Sequence, residues 1–145
     1  EGVQEAGCEA LGNICRTSTA SQRCELVRVK VARLGGIEAV LAGMGAHVDA
    51  AGVQKAGCRA LGRLSRNADN QVKVAGLGGI EVVLAGMKAL AGAAGVQEKG
   101  CGALHNLCVE NNDNQVKIAA LGGIEAVLAA MDAHAGEEGV QEQGC

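Results

Sequence analysis

The chain contains no phenylalanine, tyrosine, tryptophan or proline. Its apolar residues, 48% of the total, are small or aliphatic, and 23 glycines stand among them. Such side chains let helices approach closely, but each buries little surface. At about 25 cal/mol per Å² of apolar area, the stability contributed by any one segment is modest. Glycine inside a helix lowers it further, by about 1 kcal/mol against alanine. No apolar run approaches the ~18 residues that a membrane span requires, so no direct membrane insertion is expected. No signal peptide is visible, and the chain begins at Glu1 rather than at a methionine. A net charge of −3 argues against general affinity for nucleic acid or for an anionic membrane surface. Seven cysteines is an odd number, which fits a reducing intracellular compartment, cytoplasmic by default, better than a disulfide scaffold.

Against these absences stands a repeat. Asn114 to Met131, NQVKIAALGGIEAVLAAM, returns as NQVKVAGLGGIEVVLAGM at Asn70 to Met87. A looser copy, VKVARLGGIEAVLAGM, runs from Val29 to Met44. A second block, Gly-Val-Gln-x-x-Gly-Cys-x-Ala-Leu, starts at Gly2, Gly52 and Gly95, and its opening residues recur in Gly139 to Cys145. A period in the low forties with helical patterning is the mark of stacked helical repeats.

The elements follow from apolar spacing. Val3, Gly7, Ala10, Leu11 and Ile14 fall on one helical face, predicting a helix over 1–15. The polar stretch Arg16 to Gln22 reads as a loop, and Arg23 to Leu34 as a helix with Arg23, Arg28, Lys30 and Arg33 on its outer face. Gly35-Gly36 ends that helix, and the stripe Ile37, Val40, Leu41 and Met44 starts the next, running to His47. The second unit repeats this with Val53 to Leu64 and with a short helix capped by Asp69 that ends at Gly78-Gly79. The stripe Ile80 to Met87 completes it. In the third unit the counterparts are Val96 to Leu107, Asp113 to Leu121 and Ile124 to Met131. Each unit is therefore short helix, double glycine, medium helix, long helix.

This order, with a long helix ending in Ala10-Leu11-Gly12-Asn13-Ile14, Ala60-Leu61-Gly62-Arg63-Leu64 or Ala103-Leu104-His105-Asn106-Leu107, resembles the armadillo-repeat family of importin α and β-catenin. The resemblance spans the whole chain and implies an all-α fold, a right-handed α-solenoid of three-helix repeats. Residues 1–15 are then the third helix of a preceding repeat, 23–65 and 69–108 are repeats, and 113–145 is a truncated one. Neither end carries the polar cap that terminal repeats need. The chain thus reads as a window on a longer array or a multi-subunit complex, with apolar repeat surface expected at both ends.

The resemblance also implies a concave groove, lined by third helices, that holds an extended protein or peptide segment. The family's groove asparagine is matched by Asn13 and Asn106 and replaced by Arg63. Its tryptophan, in the nuclear-import members, is matched by Glu9, Arg59 and Gly102, so the aromatic ladder that grips lysine stems is missing. Glu5, Glu9 and Asn13 share one helix face, as do Lys55, Arg59 and Arg63, with Arg66 just beyond, and Glu98, Gly102 and Asn106. A basic stripe between acidic ones could take a carboxylate or phosphate from an acidic or phosphorylated partner. Alternatively Lys55 and Arg59 pair sideways with Glu5, Glu9 and Glu98. The expected groove residues are Asn13, Arg59, Arg63, Asn106, Lys55 and Glu9.

Other chemistry finds little footing. Cys8, Cys58, Cys101 and Cys145 share one repeat position, but neighbouring helices stand ~8–10 Å apart and zinc favours cysteines about two to four residues apart. A thiol redox or metal module remains an alternative that needs exposed, acidic thiols. His47 and His134 sit at medium-helix ends as helix-end cations, and His105 lies beside Asn106. No catalytic constellation or G-x-G-x-x-G run occurs, so neither enzymatic activity nor a cofactor is expected. A purely structural segment of a large assembly, using its convex face and ends, is the other alternative.

Overall fold

The structure, a computed structural model, describes residues 1–15 and 22–145. The expected loop over 16–21 lies outside the described residues. Among them every regular element is an α-helix: α1 (Gly2–Ile14), α2 (Gln22–Arg33), α3 (Gly36–Ala46), α4 (Ala51–Leu64), α5 (Ala68–Gly76), α6 (Gly79–Ala89), α7 (Ala94–Cys108), α8 (Asn112–Ala120), α9 (Gly123–Ala133) and α10 (Glu138–Gly144). The long helices α1, α4, α7 and α10 pack side by side in that order, and each of α4 and α7 also packs on the medium helix before it, α3 or α6. Between them lies a continuous core of Ile37, Met44, Leu61, Leu64, Ile80, Met87, Leu104 and Leu107.

Each double glycine does two separate things. Gly35, Gly78 and Gly122 adopt positive φ, near 80°, which lets the chain turn sharply from the short to the medium helix. The second glycine opens the medium helix against the short one. A Cβ on Gly36 would stand 2.8 Å from the carbonyl oxygen of Val31, closer than real Cβ atoms come.

The short helix α5 is capped two residues earlier than the expected Asp69, and α8 at the matching position. Asn67 and Asn111, not Asp69 and Asp113, accept the first free backbone N–H, from Asn70 at 2.9 Å and from Asn114 at 3.1 Å. An aspartate two residues inside the helix instead contributes charge to its first turn. Arg28 departs from expectation as well: it is buried, not outward, and pairs with Glu25 at 3.5 Å.

Polar side chains repeat as faithfully as apolar ones. Buried Gln54 donates to the carbonyls of Met44 (2.7 Å) and His47 (2.9 Å) at the end of α3, which also accept from the backbone N–H groups of His47 (3.3 Å) and Ala50 (3.1 Å). Gln97 does the same for Met87 and Leu90, and Gln141 for Met131 and His134. Asn70 and Asn114 reach from a short helix to the end of the preceding long one, at the carbonyls of Leu64 and Leu107. Between units, Lys73 bonds the Ala32 carbonyl and Glu38, both at 2.8 Å, and Lys117 bonds the Ala75 carbonyl and Glu81.

One boundary is looser. Gly43 and Gly86 lie against Gln4 and Gln54 of neighbouring long helices, but the third counterpart is Ala130, which lines one cavity with Gln97. A cavity of about 370 Å³ lies beside it, between α6 and α9, lined by Leu84, Met87, Leu121 and Ala126.

Gly7 and Gly57 occupy the same repeat position in different surroundings. Nothing lies within 4 Å of a Cβ on Gly7, whereas one on Gly57 would strike the side chain of Met44. Gly7→Ala should stabilise the fold by roughly 0.5–1 kcal/mol and Gly57→Ala should destabilise it by about 1–3 kcal/mol, both read from urea unfolding.

The inter-unit lysines also set a pH dependence. The hydrogen bond from Lys73 holds the Glu38 carboxyl below its ordinary value. Partial burial pushes Glu81 upward, but the bond from Lys117, a backbone hydrogen bond and the Lys117 charge together outweigh it and the net shift is down. Both groups therefore contribute stability that is whole above the ordinary carboxylate range and is lost as pH falls through it towards the lowered values. The urea midpoint should fall across that window, and by less in a Lys73→Met, Lys117→Met variant.

Candidate functional site

Two glycines bring the long helices together. A Cβ on Gly12 of α1 would stand 3.6 Å from the Cα of Ala60, and one on Gly62 of α4 would stand 3.3 Å from the Cα of Ala103. At that separation side chains from one long helix reach the backbone of the next. Arg63 does so: its Nη1 donates to the Gly12 carbonyl at 2.7 Å and to Asn13 Oδ1 at 3.3 Å. Arg59 Nη2 lies 3.0 Å from Glu9 Oε1. Glu9, Asn13, Arg59 and Arg63 are thus gathered into one cluster across α1 and α4.

The other expected residues stand apart from that cluster. Asn106 donates to the Gly102 carbonyl of its own helix at 2.9 Å, while its backbone carbonyl accepts from Gln71 at 2.8 Å. The stem of Lys55 lies along Gly95 of α7, 3.3 Å from where a Cβ would be. Glu98 pairs with Lys99 and lies against Gly139. Of the sideways pairings considered from sequence, Arg59 with Glu9 forms.

Beside the cluster, between α4 and α7, is a cavity of about 160 Å³ lined by Arg59, Arg63, Arg66, Lys99, Glu98, Asn106 and Gln143. Four cations line it, Arg59 paired with Glu9 and Lys99 with Glu98, which leaves a positive balance. Arg59 Nε in its wall is buried and has no hydrogen-bond partner. An unsatisfied buried donor on a cation costs more than a neutral one, so a shift of the side chain that brought Nε to an acceptor would be favoured. Lys99 and Gln143 were not singled out by the sequence pattern. The signal for Gln143 was Gly102: where α1 and α4 carry Glu9 and Arg59, α7 has no side chain, and Gln143 from α10 covers the gap.

The cysteines are positioned for packing. Cys8, Cys15, Cys24, Cys58 and Cys101 are buried. Burial raises the thiols of Cys8, Cys101 and Cys108; it also raises Cys15, against the pull of Arg28 and Arg63. Cys58 is pushed up to about 12, by burial first and by Cys101 second. Thiols shifted this way are poor nucleophiles at neutral pH. Among the described residues no group of three His, Cys, Asp or Glu side chains could hold a metal ion. His134, at the end of α9, bonds the Ala91 carbonyl at 2.7 Å and so ties two units together. Among the described residues no helix is long and apolar enough to cross a membrane.

Comparison of the chain with protein-family models, curated protein sequences and solved structures finds no match in any of the three.

The Arg59–Glu9 pair is partly exposed, at 25% and 52% of the two side chains. A double-mutant cycle with Arg59→Ala and Glu9→Ala should give a coupling of about 0.2–1 kcal/mol. The coupling should shrink as salt is added, because exposed charges are screened.

Proposed function

We propose that this chain is an armadillo-type, right-handed α-solenoid that binds a protein partner without catalysis or cofactor. The partner lies as an extended segment across α1, α4, α7 and α10. It places an acidic or phosphorylated side chain at the cavity walled by Arg59, Arg63, Arg66 and Lys99. Three features support the solenoid reading: the recurring short, medium and long helices, the side-by-side long helices, and identical ties between successive units. The single observation that carries the binding reading is the convergence of those four cations on one recess, with a buried Arg59 Nε still lacking an acceptor. Guanidinium groups offer planar, two-pronged recognition of carboxylate or phosphate, which suits them to this task.

A second reading, a structural segment of a larger assembly, is favoured by a different observation. Arg59 and Arg63 already bind Glu9 and the Gly12 carbonyl, joining α1 to α4. Buried thiols with raised pKa favour neither redox nor metal chemistry.

Titration with acidic and phosphorylated peptides, followed by backbone amide NMR, separates the two. On the binding reading, Arg63→Ala and Arg66→Ala each weaken the peptide by about 1 kcal/mol or more, the lower range of an interface hot spot. The perturbed amides lie in α4 and α7. If perturbations fall on α2, α5 and α8 instead, or affinity is indifferent to both arginines, the assembly reading replaces it.

A further inference from the structure

The joint between α6 and α9 departs from the joint between α3 and α6 at positions that line its cavity. Val48 and Val82 of the earlier joint are matched by Ala91 and Ala126, which removes apolar bulk, and Gly45 is matched by Lys88, which adds a cation. In the earlier joint Gly86 closes on Gln54, whose Oε1 is sealed without a partner. With Ala130 at the matching place, Gln97 borders about 370 Å³ of open volume. The opening belongs to neither end of the chain, because Leu77, with units on both sides, is as exposed (45%) as Leu121 (42%) in the cavity wall.

The cavity is apolar apart from one polar pole at the end of α6. Gln97, only 3% exposed, donates through Nε2 to the carbonyls of Met87 and Leu90, which flank Lys88, while its Oε1 accepts no hydrogen bond. Lys88 is exposed at the rim and, among the described residues, joins no ion pair. Glu125 also borders the cavity, but from the first turn of α9. The bond from His134, just past α9, to Ala91, just past α6, shows that the two helices run in parallel. Glu125 is therefore about 10 Å along the axis from the level of Lys88, at the other pole.

We propose that this cavity takes the C-terminus of a protein partner whose last residue is aliphatic. A chain terminus carries a carboxylate, an amide N–H and a side chain on one Cα. The carboxylate accepts from Lys88 Nζ, the N–H donates to Gln97 Oε1, and the side chain enters the space between Leu84, Leu121 and Ala126. A fatty acid leaves the glutamine oxygen without a donor, and an aliphatic alcohol leaves Lys88 without an anion. An acceptor left unmet in a buried place costs free energy, which favours the ligand that supplies both groups. The volume is at the lower end of ligand pockets, roughly 300 Å³ and above, and suits one side chain with its terminus. This site shares no residue with the cationic recess between α4 and α7.

The test is fluorescence anisotropy on the full 145-residue chain. The probe is a labelled glycine–serine hexapeptide that ends in leucine with a free carboxylate. Binding should saturate, and amidating the terminus should weaken it at least about tenfold, the factor that accompanies loss of a charge-assisted hydrogen bond. Lys88→Met should match that loss, and Lys88→Arg should restore most of the binding. Methylating the last amide nitrogen of the peptide removes the donor to Gln97 and should weaken binding several-fold with the protein unchanged. Ala126→Leu, which fills the cavity, should abolish binding while the urea midpoint holds or rises. The inference is overturned if no saturable binding is seen up to millimolar protein, if free and amidated peptides bind alike, or if Ala126→Leu binds as the parent does. N-acetyl-leucine binding as tightly as the peptide overturns it too, because the site then serves a small molecule. Loss of binding in Arg63→Ala but not in Lys88→Met also overturns it, because the peptide then lies between α4 and α7.

Discussion

A helix ends with carbonyl groups that its regular hydrogen-bond ladder leaves open, and in this protein the medium helices end against the long helix that follows. The buried glutamine of the following long helix answers that need, with one amide nitrogen shared between two carbonyls. Much of the packing is arranged around it. Gln54 is wholly buried, so the helices on either side must close over an amide, and Gly86 gives its oxygen room. Met44 and Met87 lie over Gly57 and Gly100, one turn beyond the glutamine, where any side chain would push the helices apart. A chain without aromatic residues reaches a dense core in this way: by removing Cβ atoms at the crossings and letting methionine fill what remains.

The same economy shapes the surface between units. Lys73, Lys117, Asn70 and Asn114 each bond backbone carbonyls, so a link between neighbouring units depends little on the exact side chain opposite. The long-helix face is different. There the side chains at matching positions change from unit to unit, Glu9 to Arg59 to Gly102 and Asn13 to Arg63 to Asn106. A scaffold held by constant residues is free to vary a face that does not hold it. Arg63 is the exception that touches both roles, because its bond to the Gly12 carbonyl makes it part of the frame as well as part of the cavity wall.

The helix order, the double-glycine turns and the buried stripes were legible in the sequence, because apolar period and glycine placement act locally. Asn67 in place of Asp69 as the cap was not, since both residues can cap a helix and only the entering backbone angle decides between them. The burial of Arg28 escaped for a related reason: periodicity places a residue on a face, but the packing of α5 on α2 decides whether that face meets solvent. The glutamine clamps left a trace that periodicity ignores. Gln4, Gln54, Gln97 and Gln141 recur in every copy of an apolar block, and a polar residue retained there has a bond to make. At the candidate site, the grouping of Lys55, Arg59 and Arg63 on one face was readable. That Arg59 turns to Glu9 while Lys55 lies along Gly95 depends on the distance between helices, which no single helix encodes.

The replacement of glycine by Ala130 bears on how the protein behaves under load. Units tied only to their neighbours are springs connected in series, and each carries the whole force while contributing its own compliance. Between α6 and α9 the tie through Lys117 and Glu81 is retained, but the packing beside it is interrupted by an open volume of about 370 Å³. Lost contact across a gap lowers local stiffness, because dispersion forces fall away steeply with separation. Curvature imposed on the stack therefore meets less resistance where that volume lies than where glycine lets the helices close.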